Sequence, residues 1–218
     1  MRIIRDASLE GDERRIGIVD VKYPDRSEWD IEGFEKYKDA ELAAVRAAGS
    51  TYDRETVFRQ DPYFRYFRKF KKSYPVMMQV ESYLLKGRPF PEGAYINAVA
   101  FLTELKSHIL LGTHDYDCVA GDIVFYNETA KTPFTGMINP DSHSYPNDIT
   151  GRDDEGIIIS MIAGADDRTC IHEDTSHVLY LIFGLPEIDD DQITEIAGQI
   201  KEAALALAPG AEISFEIY

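Results

Sequence analysis

A histidine followed by two carboxylates lies in the segment LLGTHDYDCVAGDIVFYN, residues 110–127. His114 precedes Asp115 and Asp117, and an imidazole beside carboxylates can act as a general base or be held as a charged partner. The same spacing suits a turn in which the two carboxylates accept hydrogen bonds from nearby backbone N–H groups. Both interpretations place these residues on a polar turn between an apolar helix and a strand.

A second polar segment, residues 163–183, lies between two apolar runs and contains Arg168. Loops at the ends of buried strands often line binding sites, because the strands fix their position. Arg168 either pairs with a nearby acid (Asp153, Glu155 or Asp166) or holds a substrate carboxylate or phosphate through two hydrogen bonds. The segment is therefore the second candidate for a site.

Metal and cofactor motifs are weak. Cys170, His172 and His177 lie close together in the sequence, but no second cluster has the spacing of a zinc site. On a strand, residues 170 and 172 would share a face that residue 177 would not. The chain also lacks a phosphate loop of the Walker type, a nucleophile elbow and a dinucleotide fingerprint. We therefore predict no metal site and no cofactor, and we disfavour nucleotide hydrolysis and NAD-dependent chemistry.

The charge distribution bears on nucleic-acid binding. The chain has 23 Lys and Arg against 39 Asp and Glu, a net charge of −16, which repels phosphate backbones. Residues 59–72 are the exception, with six bases, one acid and interleaved aromatic residues. This segment either contacts a polyanion through charge and stacking, or forms a helix with a buried aromatic face and solvated bases. The bases predicted to contact nucleic acid are Arg65, Arg68, Lys69 and Lys71.

Hydrophobic periodicity predicts helices first and a β-rich region after Gly112. The predicted helices cover residues 27–48, 61–71, 76–87, 96–107 and 189–208, and the predicted strands cover 16–22, 122–126, 134–138, 156–164, 176–184 and 211–218. The continuous apolar runs IIISMI and VLYLIF are typical of central strands covered on both faces, whereas the last strand alternates like an edge strand. The fold class is α+β.

Length and composition indicate the broad class of protein. The 218 residues suit one large domain without an internal linker. No apolar run is long enough to span a bilayer, and the N-terminus has no secretory signal. Two cysteines are too few for a disulfide scaffold and suit a reduced compartment. We expect a cytoplasmic protein without a membrane partner, and no oligomeric state is predicted.

Residues 74–184 contain an ordered series of motifs: Asn97 in an apolar helix, Gly112-Thr113-His114-Asp115-Tyr116-Asp117, Gly121-Asp122-Ile123, Asp148…Arg152…Asp154-Glu155-Gly156, and Asp167-Arg168-Thr169…Asp174-Thr175. In this series the segment resembles the B3/B4 domain, a family of tRNA-editing modules found in the β subunit of bacterial phenylalanyl-tRNA synthetase and in stand-alone proteins. The resemblance implies a β-rich sandwich core flanked by helices. Residues 1–73 would pack a strand and helices on this core, and residues 185–218 would complete the same domain.

The resemblance also implies an activity, the hydrolysis of a mischarged aromatic aminoacyl-tRNA by a chain that is not a complete ligase. His114 or Asp115 would orient the water, while Arg168 and Thr169 would hold the ester or the terminal ribose. The other residues predicted to bind substrate are Asn97, Gly112, Thr113, Asp117 and Thr175. The partner would then be tRNA or aminoacyl-tRNA.

A binding module without catalysis is the alternative. The synthetase carries a site histidine where this chain has Gly112, and a glutamate near residues 169–171, where this chain has no acid. These differences and the negative charge favour a pocket for a free amino acid or a related small ligand. A third interpretation is non-specific RNA binding through residues 59–72. The editing and binding interpretations both require that the loops near residues 114 and 168 meet at one cavity.

Overall fold

The structure is a computed structural model that describes residues 1–218. Its helices are α1 (Ile31–Ala48), α2 (Arg54–Phe58), α3 (Pro62–Lys69), α4 (Pro75–Leu84), α5 (Tyr95–Ser107) and α6 (Asp190–Leu207). Its strands are β1 (Ile3–Arg5), β2 (Arg15–Lys22), β3 (Leu111–Asp115), β4 (Ile123–Asn127), β5 (Pro133–Phe134), β6 (Ser142–His143), β7 (Ile149–Arg152), β8 (Ile157–Ser160), β9 (Gly164–Ala165), β10 (His177–Gly184) and β11 (Glu212–Ile217). With 39% helix and 23% strand, the fold is α+β, as the sequence predicts. None of the helices combines the length and apolar character that a bilayer-spanning segment needs.

Aspartate side chains fix the starts of several helices. Asp30, Asp53 and Asp61 each accept a hydrogen bond from a backbone N–H in the first turn of α1, α2 and α3. Asp189 forms a full capping box with Gln192 at the start of α6. These local signals explain why the helices begin where they do.

Two sheets form the core. The four-stranded sheet has the order β11-β2-β10-β3 with antiparallel pairs, so β10 is central and β11 lies at an edge, as predicted. The five-stranded sheet has the order β1-β4-β7-β8-β9, in which only β1 and β4 run parallel. Strands β1 and β2 of residues 1–73 thus pair with β4 and β10 of the central region, and β11 of residues 185–218 pairs with β2.

The two sheets face each other, and the helices cover the outer face of the four-stranded sheet. A Cβ placed on Gly112 of β3 would lie 2.6 Å from Ile159 Cδ1 of β8, so this face of β3 looks into the space between the sheets. On the opposite face, the Tyr180 hydroxyl of β10 donates to the Ile96 carbonyl of α5 at 3.2 Å. A single cluster of 50 buried hydrophobic residues joins the layers.

Three local predictions need correction. Residues 111–115, expected to form a turn, are the edge strand β3, because they pair along β10 from Leu111–Ile182 to Asp115–Val178. Residues 134–138 contribute only Phe134 to a two-stranded ribbon. The predicted strand 156–164 breaks at Met161, since the turn at residues 161–163 folds β9 back on β8.

Candidate functional site

The loops near residues 114 and 168 lie side by side, which is one part of what the editing and binding interpretations require. The Asp115 backbone N–H donates to the Thr169 carbonyl at 2.8 Å. His114 Nδ1 lies 2.7 Å from Thr169 Oγ1. The Arg168 guanidinium donates to the Cys118 carbonyl at 2.7 Å. The two segments are therefore joined by both backbone and side-chain contacts.

His114 and Asp115 nevertheless face opposite sides of β3, because successive side chains on a strand alternate. His114 shares the face of Gly112, which looks into the space between the sheets. Asp115 lies on the other face, where the helices pack. Four of the predicted site residues (His114, Asp115, Arg168 and Thr169) line none of the five main cavities, which measure about 370 to 500 Å³. The predicted residues therefore divide into a His114 group, on the face of β3 between the sheets, and an Asp115 group, on the face toward the helices.

The His114 group is a buried structural network. Thr169 Oγ1 donates to Asp166 Oδ1, so it accepts from the His114 Nδ1–H. His114 Nε2 is then an unprotonated acceptor, and it is buried without a hydrogen-bond partner. Burial lowers the pKa of His114 to about 4, so the ring is neutral at neutral pH. A side chain with no exposure cannot orient a water at a solvent-reachable site.

Arg168 makes the structural pairing that the sequence offers as one alternative. Its Nη2 atom lies 2.9 and 2.8 Å from the two carboxylate oxygens of Asp153, which is buried. Its Nε atom lies 3.3 Å from Glu155 and 3.8 Å from Asp166. Burial alone would raise the pKa of Asp153, but hydrogen bonds from the Ala120 N–H and from Arg168 hold that pKa below its usual value. The Arg168 guanidinium is thus engaged by three carboxylates and a backbone carbonyl within the fold.

The Asp115 group reaches the surface through His172. Asp115 Oδ2 lies 3.0 Å from His172 Nε2 and accepts a hydrogen bond from Thr175 Oγ1 at 2.6 Å. Asp115 Oδ1 accepts from the Asp117 N–H, so the carboxylate is held on both sides. The His172 side chain is 48% exposed, whereas that of Asp115 is 3% exposed. A buried carboxylate therefore orients an exposed imidazole.

The tautomer of His172 follows from its neighbours. Its Nδ1 atom accepts from the Asp174 N–H at 3.2 Å, so the Nε2–H donates to Asp115. Cys118 Sγ lies 3.9 Å from the same Nε2 atom. Burial, together with the carboxylates of Asp115 and Asp117, raises the pKa of Cys118. The thiol is thus protonated at neutral pH and is a poor nucleophile.

His172 also lines a cleft of about 370 Å³ together with Asn97, here called the Asn97 cleft. Its volume lies at the small end of the roughly 300–1,000 Å³ typical of ligand pockets. The cleft combines two aromatic rings, an amide, a guanidinium and two carboxylates. Its lining residues are Arg26, Trp29, Glu92, Gly93, Ala94, Tyr95, Ile96, Asn97, Ile171, His172 and Glu173.

The remaining predicted pocket residues are dispersed. Gly112 packs against Ile159 in the core, where a larger residue has no room. Thr113 is half-buried opposite Tyr180 on β10, and Asp117 is exposed beyond the end of β3. Of the predicted substrate-binding residues, Asn97 lines the cleft, and Thr175 holds Asp115 in place behind it.

The predicted nucleic-acid residues are exposed on and just after α3. Arg65, Arg68, Lys69 and Lys71 face solvent. The aromatic residues Tyr63, Tyr66 and Phe67 are buried, which agrees with the interpretation of an amphipathic helix and leaves those rings unable to stack on bases. Charge is the remaining means of contact with a polyanion.

An arginine cleft of about 500 Å³ lies between α2 and α3, lined by Arg54, Glu55, Arg59, Phe64, Arg65 and Arg68. Arg54 pairs with Glu81 at 2.5 Å and Arg65 with Glu187 at 2.9 Å. Arg59 and Arg68 have no carboxylate within 4.0 Å, so their charges are uncompensated. This is a basic site in a strongly acidic chain.

Sequence reasoning missed several residues at these sites. Trp29 and Arg26 lie just before α1, 68 and 71 residues ahead of Asn97 in the chain, and no local signal links them to Asn97. Cys118 and His172 are 54 positions apart and meet only because β3 pairs with β10. The Cys170, His172 and His177 cluster and the Asp174-Thr175 motif both point to this turn in the sequence, but neither connects it to Cys118.

No protein-family model and no curated protein sequence matches the chain. Among solved structures, the chain is similar to an N-terminal fragment of the phenylalanyl-tRNA synthetase β-subunit from Pyrococcus horikoshii, with a TM-score of 0.47 and 10% identity. The similarity covers 97% of this chain and 50% of that chain, so this chain spans half the length of the fragment. Residue roles therefore rest on contacts within this chain.

Proposed function

We propose that the chain binds an amino acid or an aminoacyl group in the Asn97 cleft. The observation that carries the proposal is the combination of groups lining this cleft. Trp29 and Tyr95 offer apolar rings, Glu92 and Glu173 offer carboxylates, and Arg26 offers a guanidinium. An α-amino acid presents the complementary set, namely a side chain, an ammonium and a carboxylate.

Binding fits the site better than catalysis by His114 and Asp115. Both side chains are buried, and each already has hydrogen-bond partners within the fold. The exposed member of the site is His172, whose two ring nitrogens are engaged by Asp115 and by the Asp174 N–H. To take a proton from water, His172 would first have to release the Asp174 N–H from Nδ1.

Trp29 gives a direct test, because it is the only tryptophan in the chain and it lines the cleft. Titration with each of the twenty amino acids should change the Trp29 fluorescence for a small subset and give matching heats by calorimetry. Asn97→Ala should weaken the binding of that subset roughly tenfold, since one hydrogen bond to a ligand is worth about 1 kcal/mol.

Gln60→Ala is the matched control, because it removes an exposed amide far along the sequence from the cleft. This variant should bind like the wild type. If no amino acid changes the fluorescence or produces heat at millimolar concentration, the cleft is not an amino-acid site.

A second candidate function, action on aminoacyl-tRNA, is favoured by the arginine cleft. Arg59 and Arg68 supply uncompensated charge there, and the exposed Lys69, Lys71 and Lys72 extend it. Guanidinium groups bind phosphate oxygens through paired hydrogen bonds. A tRNA backbone seated on this face would meet a basic surface on a chain whose net charge is −16.

Charge reversal tests this candidate. Arg59→Glu/Arg68→Glu should abolish salt-sensitive retention of tRNA in a filter-binding assay at low salt, because both phosphate contacts become repulsive. Lys86→Glu/Lys201→Glu changes the net charge equally at other exposed positions and should retain tRNA. A wild-type chain that retains no tRNA would contradict this proposal.

Hydrolysis can be tested with tyrosyl-tRNA as the probe. Release of tyrosine faster than in buffer, together with loss of that release in His172→Gln, would show hydrolysis.

A further inference from the structure

Asp115, Cys118 and His172 bring an oxygen, a sulfur and a nitrogen ligand atom to one place. These three atoms all lie within 4.8 Å of one another. His172 Nε2 is 3.0 Å from Asp115 Oδ2 and 3.9 Å from Cys118 Sγ. From these contacts we propose that the three side chains form a binding site for a divalent transition-metal ion, with Zn²⁺ as the best fit.

The separations suit tetrahedral coordination. Zinc bonds of roughly 2.0–2.2 Å to oxygen and nitrogen and about 2.3 Å to sulfur place neighbouring ligand atoms about 3.3–3.6 Å apart. The two separations to His172 Nε2, 3.0 and 3.9 Å, bracket this span, and the Asp115–Cys118 separation is within 4.8 Å, so the side chains must move to enclose an ion. Three protein ligands leave a fourth position, and the half-exposed His172 gives solvent access to the site.

The ligand types narrow the class of metal. A thiol, an imidazole and a carboxylate form a mixed set that suits zinc, whereas calcium and magnesium prefer oxygen ligands alone. Asp115 is held by the Thr175 hydroxyl at 2.6 Å and by the Asp117 N–H at 2.9 Å, as expected for a ligand oriented by outer hydrogen bonds.

The surrounding charges also favour a cation. Arg168 is the nearby base, because it donates to the Cys118 carbonyl. Its charge is compensated by Asp153 at 2.8 Å and by Glu155 at 3.3 Å. Exposed carboxylates precede and follow the ligands in sequence at Asp117, Glu173 and Asp174. A dication would therefore enter a region of net negative charge.

Metal binding requires two changes. The Cys118 thiol, which is protonated in the metal-free protein, releases its proton to solvent and binds the metal as the thiolate. With a metal on Nε2, the imidazole proton moves to Nδ1, and the contact with the Asp174 N–H at 3.2 Å must open. That hydrogen bond is long and lies on an exposed turn, where water can replace it. Losing it costs far less than a set of zinc bonds provides.

Cobalt supplies a spectroscopic test that does not depend on the proposed function. We expect reduced, tag-free wild-type protein to bind one Co²⁺ per chain, with a near-ultraviolet absorption that arises from thiolate-to-cobalt charge transfer. One equivalent of Zn²⁺ should displace the Co²⁺. Cys118→Ser should abolish the charge-transfer band, whereas Cys170→Ser, which removes the other free cysteine, should retain it.

Two further variants separate ligands from their supports. His172→Gln should weaken Zn²⁺ binding by more than about 100-fold, since it removes a ligand. Thr175→Val should weaken it about 10- to 100-fold and retain the band, since it removes only an outer hydrogen bond. The proposal is overturned if the folded wild type shows no band. The site would then be a histidine–aspartate hydrogen bond next to a thiol that binds no metal. A band that survives Cys118→Ser also overturns it.

Discussion

Asp153→Asn should lower the free energy of unfolding by about 2–4 kcal/mol, because it removes the charge from a buried carboxylate that holds two segments together. Asp153 accepts hydrogen bonds from the Ala120 N–H at 2.8 Å and from the Glu155 and Gly156 N–H groups at 2.9 and 3.1 Å. It also holds the Arg168 guanidinium through both oxygens. An asparagine places an N–H₂ group against donors at one of these positions.

The partial exposure of Arg168 limits the loss of stability. The Asp153 side chain is fully buried, whereas the Arg168 side chain is 31% exposed, so water can solvate part of the freed charge. For a chain of this length, the expected loss corresponds to a fall in Tm of about 5–15 °C. Thermal unfolding followed by circular dichroism measures this directly.

Asp154→Asn is the matched control, since Asp154 is an exposed neighbour with no side-chain hydrogen bond. It should change the free energy of unfolding by less than about 0.5 kcal/mol. Because Arg168 is engaged structurally, Asp153→Asn should leave amino-acid affinity in the Asn97 cleft unchanged below its Tm. If Asp153→Asn leaves the stability unaltered, the Asp153–Arg168 contact is not structural, and Arg168 is available to bind substrate.

The stability of Glu104→Gln relative to the wild type should be higher at pH 8 than at pH 5. Glu104 is buried on α5, and its Oε1 atom accepts a hydrogen bond from the Leu111 N–H at 3.0 Å, at the start of β3. Burial raises the pKa of Glu104 from its usual 4.5 to about 7, with the Leu111 hydrogen bond opposing the rise. The folded chain therefore favours the protonated acid.

The sign of the pH effect follows from proton linkage. Between pH 4.5 and 7 the folded state holds the Glu104 proton more tightly than the unfolded state does, so the stability that this group contributes at low pH is lost as the pH rises. Between pH 5 and 8 the loss amounts to roughly 2–3 kcal/mol in the wild type. Glutamine keeps the acceptor for the Leu111 N–H and does not titrate.

Urea denaturation at the two pH values measures the effect as a difference between variants, which cancels the other titrating groups. Glu195→Gln changes an exposed glutamate on α6 and serves as the control, with no pH-dependent difference from the wild type. If Glu104→Gln and the wild type lose stability in parallel between pH 5 and 8, Glu104 is ionised in the folded state.

The two proposals for the Asp115 side of β3 can be separated experimentally. Amino-acid binding depends on Trp29 and Asn97 in the cleft wall, whereas metal binding depends on Cys118, which does not line the cleft. Cys118→Ser should therefore abolish the cobalt band while Trp29 fluorescence still reports amino acids. His172 belongs to both sites, so a ligand-induced change in Zn²⁺ affinity would show that the two are coupled.

The sequence by itself determined the features that depend on local patterns. The apolar stripe and the acidic N-terminal end of α6 specify a helix, because every third or fourth residue faces the core and Asp189 caps the first turn. The continuous apolar run of β10 specifies a strand covered on both faces. These signals lie within a few residues of one another, so they are sufficient to predict the α+β class.

Only the tertiary structure decided which polar residues share a site. Once residues 111–115 pair with β10 as an edge strand, the alternation of side chains sends His114 between the sheets and Asp115 toward the helices. A shift of one residue in that register would exchange them. The meeting of Cys118 with His172 follows from the same pairing, because chain segments more than fifty residues apart are joined by backbone hydrogen bonds rather than by any sequence pattern.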